Sequence, residues 1–256
     1  MKYNAYVLLA VLCLFYIGDV FSAAIVEPQP LVISMSDDSY PFQYVDENDQ
    51  PRGLLVDYWR QWALVNQRDV IFKPARWQDS LDNLQQGRSD IHIGMASTPS
   101  RKALFDFDGA ISQVQSYLYI HKSLKQANSI EQLTPYNIGV VKGSAHIELL
   151  RAKQPKLSFS YFDSRKQLID AVIANEIYIF AGLEGYLRES NISQEVMMSF
   201  PYKSRIPLDT LSFFPAINKG KAALLQSIMQ GFQLIDQVKL NAVQRSWLGI
   251  ERSQNE

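Results

Sequence analysis

A single cysteine, Cys13, stands among the 256 residues, and it lies inside an apolar run near the start. With that segment removed the chain has no thiol, so disulfides, cysteine metal sites and thiol catalysis are excluded. Histidine is almost as scarce: His92 falls in a predicted strand, His121 at a strand end and His146 in the first turn of a predicted helix. No two share a ligand spacing, which removes the usual zinc patterns, and no cofactor is expected. The longest apolar run, Ala5 to Ile17, falls short of the roughly 20 residues a membrane span requires. Charge of one sign is lacking as well. The net charge is −1 and remains so without residues 1–24, which gives nucleic-acid binding no support. A Ser-x-x-Lys motif, a Gly-x-Ser-x-Gly elbow and a phosphate-binding Gly-rich loop are all absent, and Ser144 and His146, two apart on a helix, do not make a nucleophile and base. No low-complexity tract and no Gly/Ser- or Pro-rich linker interrupts the chain.

What is present begins with an address. Lys2, the apolar run and the small residues Ser22-Ala23-Ala24 read as an export signal over residues 1–24, which places the remainder in the periplasm as a soluble chain. Leu12 precedes Cys13 where a lipoprotein signal needs a small residue, so lipid anchoring there is not expected. With 47% hydrophobic residues the rest can bury one large core or two moderate ones.

Strand-like and helix-like segments alternate, the pattern of an α/β protein with mainly parallel sheets. Strands are predicted at 31–35, 70–73 and 90–94, with helices at 53–66 and 79–86 between them. A second series follows: strands at 116–121 and 137–141, a helix at 144–153, a strand at 157–161, a helix from Ser164 and a strand at 177–181. Ser164 and Gln167 form a capping box. One more strand at 211–217 and one long amphipathic helix at 222–243 lead to Trp247-Leu248-Gly249. Two such units joined by strands imply two lobes.

The octapeptide Gly94-Met95-Ala96-Ser97-Thr98-Pro99-Ser100-Arg101 carries the most chemistry. Thr98 is a good N-cap, Pro99 suits the first helical position, and Arg101 falls in the first turn. Free N–H groups, the helix dipole and a guanidinium there favour a small carboxylate. The same residues also describe an ordinary capped helix with Arg101 on the surface.

Five segments, in order, are similar to the family 3 periplasmic solute-binding proteins of the amino-acid-binding type, including versions that serve as sensor domains: Tyr40-Pro41-Phe42 with Gly53 and Asp57; Trp77 to Asp90; the octapeptide with Phe105-Asp106-Phe107; Val141-Lys142-Gly143-Ser144; and Trp247-Leu248-Gly249. The resemblance implies a two-lobed type II periplasmic-binding-protein fold, the chain crossing twice, with a ligand cleft between lobes. Lobe 1 is then residues 28–112 plus 213–250, lobe 2 residues 113–212, and 251–256 a tail.

By the same resemblance Gly94, Ala96 and Arg101 hold a ligand carboxylate, Trp77 and Tyr40 flank the ligand, and the Lys142-Gly143-Ser144 loop grips it from lobe 2. Trp77 also reads as core, and Ser144 as a helix cap. Two departures concern the substrate. Leu183 stands where members that bind α-amino acids usually carry an aspartate, and Ala96 replaces a hydroxyl residue. Either Glu184 takes over the ammonium, with Asp37 assisting, or the ligand has none; Glu184 also reads as a helix N-terminal acid. The expected function is a non-enzymatic, monomeric binder that closes on a carboxylate-bearing solute and presents it to an ABC permease or a membrane sensor. The alternative is a periplasmic dehydratase-like enzyme using Glu184 as its acid.

Overall fold

The computed structural model describes residues 29–124, 127–189 and 192–249; the export signal of residues 1–24 and the tail of 251–256 lie outside them. In chain order the first half carries β1 (Leu31–Ser36), β2 (Asp38–Ser39), β3 (Gln43–Val45), β4 (Pro51–Arg52), α1 (Leu54–Asn66), β5 (Val70–Ala75), α2 (Trp77–Gln85), β6 (Ile91–Ala96), α3 (Pro99–Leu104) and β7 (Phe105–Phe107). The long strand β8 (Ser112–Ile120) leads to β9 (Asn137–Val141), α4 (Ala145–Lys153), β10 (Ser158–Phe162), α5 (Arg165–Ile173), β11 (Ile179–Leu183) and α6 (Gln194–Ser199). Strand β12 (Ile206–Asn218) then returns to the first half, where α7 (Ala222–Gln233) and α8 (Gln237–Leu248) complete it.

One continuous sheet runs in the order β10-β9-β11-β8-β12-β6-β1-β5, with β7 also on β12. Its two ends are parallel, β1 between β5 and β6 and β9 between β10 and β11. Its middle is antiparallel. Strand β12 pairs with β8 over Ile206–Phe213 and with β6 and β7 from Phe213 onward, so one strand belongs to both halves. The two connections between halves are thus themselves hydrogen-bonded strands, which fits the absence of a Gly- or Pro-rich linker.

Central strands with helices on both faces are buried on both sides, and here even the polar Ser34, Ser36 and His92 are buried. Leu31, Ile33 and Met35 of β1 and Ile91, Ile93 and Met95 of β6 are fully buried. Helix α1 lays Leu55, Trp59 and Trp62 on this sheet, and the Trp59 Nε1–H donates to the Ile93 carbonyl at 2.7 Å. Gly53 opens that helix at φ 123°, where a Cβ would stand 2.4 Å from the Phe42 carbonyl oxygen; only glycine fits. The second half has a separate core of Leu118, Ile120, Ile138, Val140, Leu150 and Ile179.

Several sequence expectations change: the strand expected at 116–121 begins at Ser112, and that expected at 177–181 is Ile179–Leu183. The single helix over 222–243 is two helices: α7 ends at Gln233, and Asp236 restarts the chain by capping the Val238 N–H at 2.8 Å. The strand expected at 211–217 extends back to Ile206, because its first part pairs with β8 rather than with the apolar first-half strands. A small sheet, β2-β3-β4, is added by segments too short to show a period.

Candidate functional site

Between the halves lies a cavity with about 660 Å³ of empty space, its open mouth included. From the first half Ser36, Asp37, Asp38, Trp77, Ala96 and Arg101 line it; from the second, Ser144, His146, Arg165, Leu183 and Tyr186. Six of the ten residues singled out in the sequence are therefore brought together: Asp37, Trp77, Ala96, Arg101, Ser144 and Leu183.

Arg101 is placed by the capping chemistry of its own helix. Thr98 accepts the Arg101 N–H, Pro99 occupies the first turn, and the guanidinium folds back so that Nη1 donates to the Ala96 carbonyl at 2.7 Å. Nη2 donates at 2.9 Å to the carbonyl of Gly143, which belongs to the second half. The side chain is 6% exposed and lies over the Trp77 ring at 5.1 Å. Burial pulls its pKa down to about 10, which leaves it charged at neutral pH. A guanidinium has five N–H donors, and those not held by backbone oxygens remain for a ligand.

The anion expected at this helix start is supplied by the chain itself. Glu148 in α4 accepts from Thr98 Oγ1 at 2.7 Å and from the Ser100 hydroxyl and amide. Burial alone would raise its pKa, but these hydrogen bonds outweigh it and hold the carboxylate below its ordinary value. At this helix start it is thus Arg101, rather than the amides, that lines the cavity.

Trp77 combines both of its readings. It packs edge-on against the fully buried His92 at 5.4 Å, and its Nε1–H donates to the Gly143 carbonyl at 3.1 Å while its ring lines the cavity. Asp37, between β1 and β2, has no side-chain partner among the described residues; burial raises its pKa, opposed by a hydrogen bond to its own backbone and the field of Arg76.

On the opposite wall Ser144 occupies the N-cap position of α4 but caps nothing. The Ile147 amide donates to the Ser144 carbonyl instead, and the hydroxyl is buried without a partner among the described residues. His146, 5% exposed, lines the same cavity, and its Nε2 is buried without a partner among the described residues. Burial and the nearby Arg101 charge lower its pKa to about 4, so it is neutral. Arg165, 3% exposed, pairs with Glu189 at 2.6 Å and Asp38 at 3.8 Å and lies between the Tyr40 and Tyr186 rings. Sequence reasoning passes over Arg165 because it sits inside a capping box; that Ser164 caps this helix is correct.

Four residues fall outside the lining. Gly94 is buried behind it, its carbonyl accepting from Gln43 Nε2. Tyr40 reaches the site only through Arg165 and stacks edge-on against Tyr44. Lys142 faces solvent in an ion pair with Asp163. Glu184 follows the last residue of β11, and where Leu183 turns to the cavity Glu184 turns away, to an exposed ion pair with Arg188 at 3.3 Å. Glu184 stays partly exposed in that pair, and no observation favours it as a catalytic acid.

The fold has counterparts among solved structures. A histidine kinase sensor domain with similarity to periplasmic binding proteins superposes with a TM-score of 0.73 at 18% identity, over 86% of this chain and 96% of that one. An ancestral arginine-binding protein bound to arginine gives 0.72 at 20% identity, over 87% and 99%. The ancestral amino acid-binding protein AncCDT-1, a precursor of cyclohexadienyl dehydratase, gives 0.69 at 22%, over 86% and 95%. At such identities the likeness establishes the fold, a two-lobed type II periplasmic-binding-protein fold. In sequence, the probable amino-acid-binding protein YxeM of Bacillus subtilis (strain 168) is 24% identical over 139 residues, 53% of this chain and about half of that relative's length, 52%. The model of the bacterial extracellular solute-binding proteins, family 3, matches residues 31–250, and the chain belongs to that family.

Proposed function

We propose that the chain is an exported, monomeric binding protein whose lobes, residues 28–112 with 213–250 and residues 113–212, close over a small zwitterion in the periplasm and present it to a membrane permease or sensor. The ligand's carboxylate docks on Arg101 and its cationic group on Asp37.

One observation carries this reading: of the four charged side chains that line the cavity, Arg165 and Asp38 face each other, while Arg101 and Asp37 have no side-chain ion partner among the described residues. A buried charge without a partner is costly, and a ligand carrying both signs satisfies both at once. Asp37 thereby replaces the ammonium partner that Leu183 does not provide. Ser144 and His146 contact the ligand from lobe 2, and this differential contact with the closed form is what lets a ligand shift the equilibrium.

Mass analysis of small molecules released by denaturing protein purified from its native compartment tests the reading. A carboxylate that also bears a cationic group is the expected species. A dominant ligand lacking the carboxylate would overturn the assignment of Arg101; a carboxylate without a cationic group would overturn that of Asp37.

A further inference from the structure

The halves also meet through polar contacts made wholly within the chain, and two of these mirror each other. From the first half, Asp38 in β2 accepts the Lys166 N–H, in the first turn of α5, at 2.5 Å, and stands 3.8 Å from Arg165. From the second half, Glu148 in α4 accepts from Thr98 Oγ1 at 2.7 Å, Ser100 Oγ at 2.5 Å and the Ser100 N–H at 3.4 Å, at the start of α3. Each half thus sends a carboxylate onto the amide and cationic or hydroxyl donors that open a helix of the other. Charge-assisted hydrogen bonds of this kind are the stronger ones.

A third contact shows how close the approach is. The Gly143 carbonyl receives both Trp77 Nε1–H and Arg101 Nη2–H from across the boundary, and at Gly143, φ +68°, a Cβ would stand 2.5 Å from Gln78 Oε1 of α2. The loop therefore sits against the first half at a distance only a glycine allows without displacing Gln78.

We infer that Asp38 and Glu148 are reciprocal latches that hold the two lobes closed by contacts needing no ligand. The consequence is kinetic as well as structural. A ligand shifts an open and closed pair only by its differential affinity, and a population already biased to the closed form must open before a solute can enter. Breaking the latches opens the molecule and speeds association. The inference stands apart from the identity of the ligand, because its test contains none.

Small-angle X-ray scattering of the full chain after exhaustive dialysis, with mass analysis confirming that no small molecule is carried over, reads the closure. The wild-type curve should match the closed structure, and the Asp38→Ala/Glu148→Ala double variant should shift to a larger radius of gyration. Ser100→Ala, which keeps both carboxylates and the Thr98 cap and removes one hydroxyl donor to Glu148, should shift part of the way and serves if the first variant does not fold. Glu195→Gln, an exposed acid in α6, should leave the curve unchanged. A wild-type chain as expanded as the double variant, or latch variants as compact as the wild type, would overturn the inference.

Discussion

Arg101 and Arg165 enter the same cavity from opposite lobes, each almost fully buried, and the company they keep differs. Arg165 meets Glu189 and Asp38 and is enclosed by two tyrosine rings, so its charge is answered by the protein. Among the described residues Arg101 donates only to two backbone oxygens, and it stacks on Trp77. Carbonyl dipoles orient a guanidinium but do not neutralise it. Burial of an arginine is therefore not in itself a sign of ligand binding; what distinguishes the two is whether a carboxylate already faces the charge.

The largest expected effect breaks that comparison at Arg101. Arg101→Ala should weaken carboxylate binding by at least about 100-fold, on the order of 3 kcal/mol, with circular dichroism still reporting a folded chain; calorimetric titration with the ligand recovered from the native protein checks it. Arg165→Ala should act on stability instead. It leaves two partly buried carboxylates without their cation, a loss of about 3 kcal/mol visible as a lower urea midpoint.

Acid should come next. The pKa values of His92 and His146 are lowered from 6.5 to about 3 and about 4, first by burial and then by the charge of Arg101. The unfolded chain takes up protons on both imidazoles where the folded chain does not. Stability is therefore full above pH 6.5 and falls as the pH drops toward 4, by roughly 3 kcal/mol per histidine. Denaturant titrations at pH 7 and pH 5 should show the drop, and His146→Gln should make it shallower.

Smaller effects sharpen the contrast. Trp77→Leu should lower affinity about fivefold, near 1 kcal/mol for a lost cation–π partner, and should remove most of the ligand-induced change in tryptophan fluorescence. Glu184→Gln should change binding and stability by less than about 0.5 kcal/mol, as befits an exposed ion pair; a large loss of binding in calorimetry would put Glu184 back into the cleft.

Much of this was legible in the residues themselves. The apolar residues of β1 and β6 and the stripe Leu55, Trp59, Trp62 announce a sheet covered by a helix, although the buried Ser34, Ser36 and His92 interrupt the apolar pattern. Thr98, Pro99 and Arg101 announce a capped helix start, because capping is local chemistry within four residues, and the structure makes that cap. What distance hides is less accessible. Glu148 and Thr98 are 50 residues apart, so nothing in the sequence around the octapeptide reveals that its donors are already taken. Ser144 reads as a cap, yet its hydroxyl is buried without a partner among the described residues, and the Ile147 amide that it would have capped donates to the Ser144 carbonyl. The helix break before Asp236 is signalled only by that one residue, whose neighbours continue the helical stripe.

Thermal unfolding of the chain and of Arg101→Ala, each against zwitterionic amino acids, carboxylates without an amine and amines without a carboxylate, is the most direct measurement of all. A ligand at 100 times its dissociation constant stabilises the folded state by about 2.7 kcal/mol, a shift of several degrees for a chain of this size. Stabilisation of the chain by zwitterions, with none in Arg101→Ala, is the predicted result. Stabilisation by an amine that has no carboxylate, or a shift that survives in Arg101→Ala, would contradict it.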